Sequence, residues 1–291
     1  MHTGVLQFVT ERALHVTDLA IACEQRGLES LWVPEHPVVP TEYATRYPLS
    51  ADGKLPRAYT ELPDPFPVLS AAAAVTRTLR LGTGICLVPE RDALMTALQA
   101  ATVDWISNGR FLFGIGAGWL GEEMNLFTPH FPYRFGFMRE AVAAMRKLWA
   151  EDDVAFDGKW VKFPRVVCRP KPVQKPLPVI LGGMGPNVMK RVATWGDGWM
   201  PIGLPPDQIA PAREQIGKLA RDAGRSTAKI SITVMIGAPP GMDETALDFL
   251  PVREVLAAYR DAGADRVVVS IPTLAKDGTL AHLDRIARAM P

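Results

Sequence analysis

One stretch narrows the possible folds more than any other: Arg80 to Gly121, RLGTGICLVPERDALMTALQAATVDWISNGRFLFGIGAGWLG. Leu81 to Leu87 is a short apolar run holding two glycines. Arg91 to Ile106 places Leu94, Ala97, Leu98, Ala101, Val103, Trp105 and Ile106 mostly on one broad helical face. Asn108-Gly109 then stops the helix, and Arg110 to Ile115 is a second apolar strand. Two buried strands joined by a helix predict a parallel βαβ unit, because parallel strands need a long crossover. Both strands end in glycine: Gly84 on the first, Gly116 and Gly118 on the second. In parallel α/β folds ligands sit at the carboxyl ends of strands, and glycines there let a flat ligand approach the backbone.

The same rhythm runs along the whole chain. Strand-like runs are expected at Gly4–Val9, Ser30–Val33, Val179–Leu181, Gly198–Ile202, Ile230–Ile236 and Arg266–Ile271. Helical spacing is expected at 16–26, 68–78, 134–150, 187–194, 207–223, 252–262 and 280–289. That makes about eight strands, nearly all followed by helices, the pattern of a (β/α)8 TIM barrel. An open doubly-wound sheet is the rival architecture. The chain of 291 residues reads as one barrel domain over 1–291. Two irregular insertions interrupt it, Pro37–Pro67 after the second strand and Gly121–Tyr133 after the fourth. A loop as long as the first is expected to be a lid or binding loop. Asp157-Gly158 between β-prone runs signals a two-residue hairpin turn.

Composition excludes several partners. Lys+Arg 32 against Asp+Glu 31 leaves a net charge of +1, with no electrostatic case for nucleic acid or an anionic membrane. No apolar stretch is long enough to span a bilayer. Three widely spaced cysteines, Cys23, Cys86 and Cys168, indicate neither a disulfide framework nor a zinc site, so a cytoplasmic setting is expected and no metal.

Four groups of residues could carry chemistry. Gly182-Gly183-Met184-Gly185-Pro186 lies between a strand and a helix, where free amides and a helix N-terminus can hold a phosphate; an ordinary tight turn is the alternative. Lys190 and Arg191, one turn on, would add charge. Gly114 to Gly121 superficially matches a dinucleotide fingerprint, but an irregular stretch is expected after it and its strand is the fourth, not the first. Close packing of a ring on Gly116, Gly118 and Trp119 is the better functional reading, and a plain strand-end turn is as plausible. Glu35-His36 ends the second strand, and His36 is the histidine best placed to donate to a ligand or act as acid or base; a solvated loop histidine is the alternative. Trp32, Trp119, Trp199, Tyr43, Tyr47, Phe127 and Phe131 fall at strand ends or in the two insertions, which suggests an apolar pocket, or simply core.

In order, SLWVPEH, LRLGTGICLVP, ATVDWISNGRFLFGIGAGW, FDGKWVKF, KPVQKPLPVILGGMGPN and WGDGWMP resemble the luciferase-like monooxygenase superfamily, specifically its coenzyme F420-dependent branch. The series covers residues 30 to 201. The resemblance implies a barrel with a deazaflavin ring at the C-terminal strand ends, contacted by Glu35 and His36 as catalytic residues. It implies a non-prolyl cis peptide at Gly84-Ile85 behind the ring, and a phosphate held by the turn at Gly182, Gly183, Met184 and Gly185. It also implies F420 as cofactor, with FMN and monooxygenation as the alternative, or a non-catalytic barrel that binds either. The partners implied are a small organic substrate and a second subunit, as a homodimer. One departure stands out. Sugar-phosphate dehydrogenases of the superfamily carry a catalytic glutamate after the fourth-strand glycines; Trp119 takes that place here, with Glu122 and Glu123 slightly later.

Overall fold

The computed structural model describes residues 1–47, 50, 52–128, 131–226, 230–237 and 250–291. Eleven strands and nine α-helices lie among the described residues. The strands are β1 (His2–Gln7), β2 (Ser30–Val33), β3 (Arg80–Thr83), β4 (Cys86–Leu87), β5 (Phe111–Gly116), β6 (Val154–Asp157), β7 (Lys162–Val166), β8 (Val179–Gly182), β9 (Gly198–Met200), β10 (Ser231–Ile236) and β11 (Arg266–Ile271). The helices are α1 (Val16–Gln25), α2 (Pro65–Val75), α3 (Ala93–Ile106), α4 (Gly121–Phe127), α5 (Arg134–Ala150), α6 (Val188–Trp195), α7 (Ile209–Asp222), α8 (Arg253–Asp261) and α9 (Lys276–Ala289).

Eight parallel strands close on themselves in the order β1-β2-β3-β5-β8-β9-β10-β11, with β11 returning to β1. Closure across β3 and β5 pairs Leu81 with Phe111 and Gly82 with Leu112. This is the expected TIM barrel, and every strand therefore delivers its carboxyl end to one rim.

Alternation along the strands sorts side chains into two cores. Val5, Leu31, Leu81, Phe111, Phe113, Val179, Val267 and Val269 join the layer packed against the helices. Leu6, Trp32, Leu112, Ile180, Met200 and Val268 form a smaller cluster of their own, with Phe8, Ile85 and Met235 against it. Trp32 is its largest member and is wholly buried. Glycines on neighbouring strands make room for it. A Cβ at Gly82 would lie 2.2 Å from Trp32 Cε3, and one at Gly114 would lie 3.3 Å from Cζ3. Trp32 is thus barrel filling rather than pocket wall.

Three local expectations need correction. Leu81–Leu87 is not one strand. β3 pairs with β2 and the start of β5, whereas Cys86 and Leu87 pair with Ile115 and Gly116 at its far end. The break falls at Gly84-Ile85, whose peptide is cis. The β6–β7 hairpin does not turn on two residues: Asp157 faces Lys162, and Gly158 N–H donates to the Val161 carbonyl at 2.9 Å, so four residues make the turn. Glu140 Oε1 fixes that turn by accepting from Trp160 N and Val161 N at 2.6 and 2.7 Å. Finally, the segment after β5 is not irregular throughout. Residues 121–127 form α4, with Glu122 and Glu123 in its first turn, where acidic side chains suit the helix dipole.

Candidate active site

The site is built where β2, β3, β5 and β8 end side by side. The glycine-bearing turns after β3, β5 and β8 lie on one rim and meet at Ile85. A Cβ at Gly116 would sit 2.0 Å from Ile85 Cδ1, and one at Gly182 would sit 2.9 Å from the same atom. These two glycines therefore admit the Ile85 side chain, which stays half-buried at the rim. Gly84, which precedes it, would meet Leu6 Cδ1 at 2.7 Å.

His36 leaves the end of β2 and is 7% exposed. Its Nδ1 lies 2.5 Å from Oε2 of Glu123, which is completely buried on α4. A carboxylate in that position makes Nδ1 the protonated nitrogen of the neutral ring and leaves Nε2 as the acceptor. Nε2 makes no hydrogen bond among the described residues. The ring stands edge-on to Tyr59 at 5.0 Å and to Trp119 at 6.0 Å between centroids. Tyr47 closes the group, 5.7 Å from Trp119 and hydroxyl to hydroxyl with Tyr59 at 2.8 Å. The first insertion thus folds its tyrosines onto the rim, as a binding loop would.

Glu35, the neighbour of His36, points into a different arrangement. Its Oε2 accepts from Leu87 N at 2.6 Å, and its Oε1 accepts from Arg91 Nε at 2.6 Å and also from Arg91 Nη2. Arg91 Nη2 reaches Asp64 Oδ2 at 3.0 Å, and Asp64 also caps α2 through Phe66 N at 2.9 Å. Glu35 therefore ties the end of β2 to β4 and, through Arg91, to the start of α2. Consecutive residues at a strand end point in opposite directions, so only one of the pair meets the aromatic group.

One more carboxylate completes the interior. Glu90 is 3% exposed, and neither of its oxygens has a hydrogen-bond partner; Oε1 of Glu123 lacks one too. Burial, with the charges of Glu123 and Glu35 nearby, pushes the Glu90 carboxyl up to about 9. Glu122 does the opposite job at the surface. Thr45 Oγ1 at 2.8 Å, Ala44 N at 2.8 Å and Thr45 N at 3.1 Å all donate to it, holding its carboxyl down at about 2. Glu122 and Glu123 stand out in the sequence just after the fourth-strand glycines, whereas Glu90 carries no signal there. The paired acids just after a glycine turn were the signal that a helix begins there.

The turn after β8 is open. Nothing lies within 4 Å of a Cβ built at Gly183 (φ +110) or at Gly185, and Met184 is exposed. Trp199, buried behind it, fixes the turn by donating Nε1–H to the Gly183 carbonyl at 2.9 Å. Two arginines stand close by on the faces of Phe135, with Arg191 Cζ 3.7 Å and Arg134 Cζ 4.7 Å from its centroid. Arg134 donates to the carbonyls of Gly118 and Phe131, and neither arginine forms an ion pair among the described residues. Burial, and for Arg191 the proximity of Arg134, lowers both guanidinium values. Gly183 N–H donates to the Met200 carbonyl at 3.3 Å, but the amides of Met184 and Gly185 make no hydrogen bond among the described residues, and amides near two cations without ion pairs can take an anionic group.

A closed parallel barrel whose C-terminal rim carries the His36–Glu123 pair and an open glycine turn has the architecture of the TIM-barrel class, with its candidate site where that class binds small molecules. The luciferase-like monooxygenase family model matches residues 2–281, and the chain belongs to that family. It is 31% identical over 289 residues to an uncharacterized protein of Mycobacterium tuberculosis, covering 99% of this chain and 98% of that one. It is 29% identical over 234 residues to an F420-dependent glucose-6-phosphate dehydrogenase of Kineococcus radiotolerans, covering 77% of this chain and 65% of that one. Among solved structures, monooxygenase RslO1 from Streptomyces bottropensis superimposes with a TM-score of 0.77 at 21% identity, over 99% of this chain and 98% of that one. An F420-dependent secondary alcohol dehydrogenase in complex with an F420-acetone adduct gives 0.76 at 19%, over 100% and 99%.

Proposed function

We propose that this protein is an F420-dependent oxidoreductase that transfers hydride between the deazaflavin and a small organic substrate. The observation that carries the reading is the His36–Glu123 dyad, which presents Nε2 beside Trp119 on the rim that also bears the open Gly182–Gly185 turn. A luciferase-like relative with the same cofactor at 29% identity supports it.

The residues present fit such a cofactor. Gly183 and Gly185 leave space for its phosphate and the amides of Met184 and Gly185 would donate to it, Gly183 N–H being held by the Met200 carbonyl at 3.3 Å, with Arg134 and Arg191 as countercharge. Gly84, Ile85, Gly116, Gly118 and Trp119 would border the ring, Ile85 being the half-buried side chain between the turns. When bound, F420 supplies the hydride chemistry. The protein's own part is to bind, to orient and to move a proton: His36 Nε2 accepts it, while Glu123 takes up the charge arising at Nδ1. Glu35 serves here as a positioning residue, since its carboxylate is engaged by Arg91 and Leu87. Glucose 6-phosphate is not carried over, because Trp119 stands where those dehydrogenases have their acid. A homodimer in the cytoplasm completes the reading.

Titration of the purified protein with F420 and with FMN, followed by fluorescence and calorimetry, tests it. Micromolar binding of F420 is expected. FMN binding with no response to F420 would move the protein to the second reading, a flavin-dependent monooxygenase, which the monooxygenase neighbours favour.

A further inference from the structure

The rings around His36 form a closed circuit. His36 lies 5.0 Å from Tyr59, Tyr59 5.2 Å from Tyr47, Tyr47 5.7 Å from Trp119 and Trp119 6.0 Å from His36, all between centroids. Phe8, just past the end of β1, is 4.9 Å from Tyr59 and packs on the inner cluster around Trp32, so it joins the circuit to the barrel interior. Tyr59, Trp119 and Phe8 are half-buried, and part of each ring stays accessible.

The charges beside these rings are turned elsewhere. Glu35 and Asp64 hold Arg91. Glu61, on the same short turn as Tyr59 (Arg57–Glu61), pairs with both Arg12 and Arg57. Glu122 accepts from Ala44 and Thr45, and Glu123 faces Nδ1 of His36. Glu42, Arg46, Asp52 and Lys54, the other charged side chains of the first insertion among the described residues, are exposed. What the circuit offers a ligand is therefore ring surface and neutral hydrogen-bonding groups. These are His36 Nε2, the hydroxyl pair of Tyr47 and Tyr59 at 2.8 Å, and Trp119 Nε1–H, which makes no hydrogen bond among the described residues.

We infer that this circuit selects the substrate, with Tyr59 as a specificity-determining residue, and that the substrate is an uncharged alcohol or ketone with a cyclic apolar body. Such a body suits the faces and edges of Tyr59 and Trp119. A carboxylate or phosphate ester there would leave water with no cation to meet it, which disfavours it strongly. The reaction class rests on the function proposed above. Oxidation of the alcohol breaks its C–H bond, the hydride leaving with both electrons for the deazaflavin, and its O–H bond, whose proton goes to His36 Nε2, as the C=O bond forms. The preference for a neutral ligand does not rest on that function and is measurable on the protein without cofactor.

Cyclohexanol and trans-4-hydroxycyclohexanecarboxylate share a ring and a hydroxyl and differ by one charge. Both are titrated into cofactor-free protein at pH 7, followed by calorimetry and by the 15N resonances of the His36 ring. Cyclohexanol is expected to bind at least about tenfold more tightly than the acid, because the charge of the acid goes unpaired. It should also move the His36 signals, and cyclohexanone should compete with it. Tyr59→Ala should weaken cyclohexanol at least about fivefold through the lost aromatic contact. Tyr59→Lys should bring the acid to parity with cyclohexanol or better, a gain that lost packing alone does not produce. Equal binding of the two by the wild type, tighter binding of the acid, or binding of neither would overturn the substrate class. His36 signals that stay still would overturn the location. An unchanged preference in Tyr59→Lys would remove Tyr59 as a selecting residue; if that variant or Tyr59→Ala fails to fold, Tyr59→Leu tests the same contact and the wild-type comparison still decides the class. Failure to bind F420 would overturn the proposed function and the reaction class but leave the neutral preference standing, so the two failures are told apart.

Discussion

His36 Nδ1 lies 2.5 Å from Glu123 Oε2, although 87 residues separate them in the chain. The contact joins the end of β2 to the first turn of α4 and pairs a rim histidine with a buried carboxyl, the arrangement the proposed proton transfer needs. Glu123→Gln should lower the rate constant for turnover about 10- to 100-fold, the scale of losing a residue that orients a catalytic group. F420 affinity should stay within about threefold, since Glu123 is buried behind the ring it holds. Steady-state kinetics together with cofactor titration separate the two; an equal loss in both would mean that the helix, not the dyad, had failed.

The raised Glu90 value has a consequence for stability. The native state keeps this proton to about pH 9, whereas the unfolded chain releases it near 4.5. Between those limits the unfolded state binds fewer protons, so wild-type stability falls as pH rises, at about 1.4 kcal/mol per unit. Glu90→Gln abolishes that contribution. Urea unfolding at pH 5 and pH 8 should therefore show the variant gaining on the wild type by on the order of 4 kcal/mol. Parallel behaviour at the two pH values would mean Glu90 is ionised when folded.

Glu122 fastens the first insertion to α4 through Ala44 and Thr45. Its carboxyl is held at about 2, so this fastening is intact above the usual carboxylate range and is lost as pH falls from about 4.5 towards 2. Glu122→Ala should speed hydrogen exchange at the Ala44 and Thr45 amides at least about tenfold at pH 7, in keeping with loss of hydrogen bonds to a charged acceptor. Protection equal to the wild type would show that other contacts hold the loop.

Gly82 and Trp32 are complementary in volume, and the indole leaves a Cβ at position 82 only 2.2 Å away. Gly82→Ala should cost roughly 3 kcal/mol or more, at or above the upper end of ordinary overpacking, because the ring is enclosed on every side. Adding Trp32→Phe should recover part of the loss. Additive losses in the double variant would mean that the strand backbone, not the indole, rejects the methyl.

At the opposite rim, Arg110 caps loose carbonyls. It donates to the backbone of Ser107, Leu79, Ala73 and Thr76 and to the Thr76 hydroxyl. Arg110→Met keeps the stem but strands those carbonyls, and roughly 3 kcal/mol or more should be lost in urea unfolding. A loss below about 1 kcal/mol would show that water replaces the guanidinium without cost.

The sequence by itself determined the barrel. Period-2 and period-3.6 patterns are local properties, and βα alternation leaves few ways to bury both faces of a parallel sheet. It also marked the glycine-ended strands and placed His36 at the rim. Only the tertiary structure decided what those residues do. Gly82 and Gly114 make room for Trp32, and Gly116 and Gly182 for Ile85, because side chains from separate strands compete for one interior. Glu35 and His36 part company because adjacent residues face opposite ways, one towards Arg91 and the other towards Glu123. The protonated state of Glu90 follows from three acids brought together by barrel closure, since desolvation and repulsion act through space and leave no trace in sequence spacing.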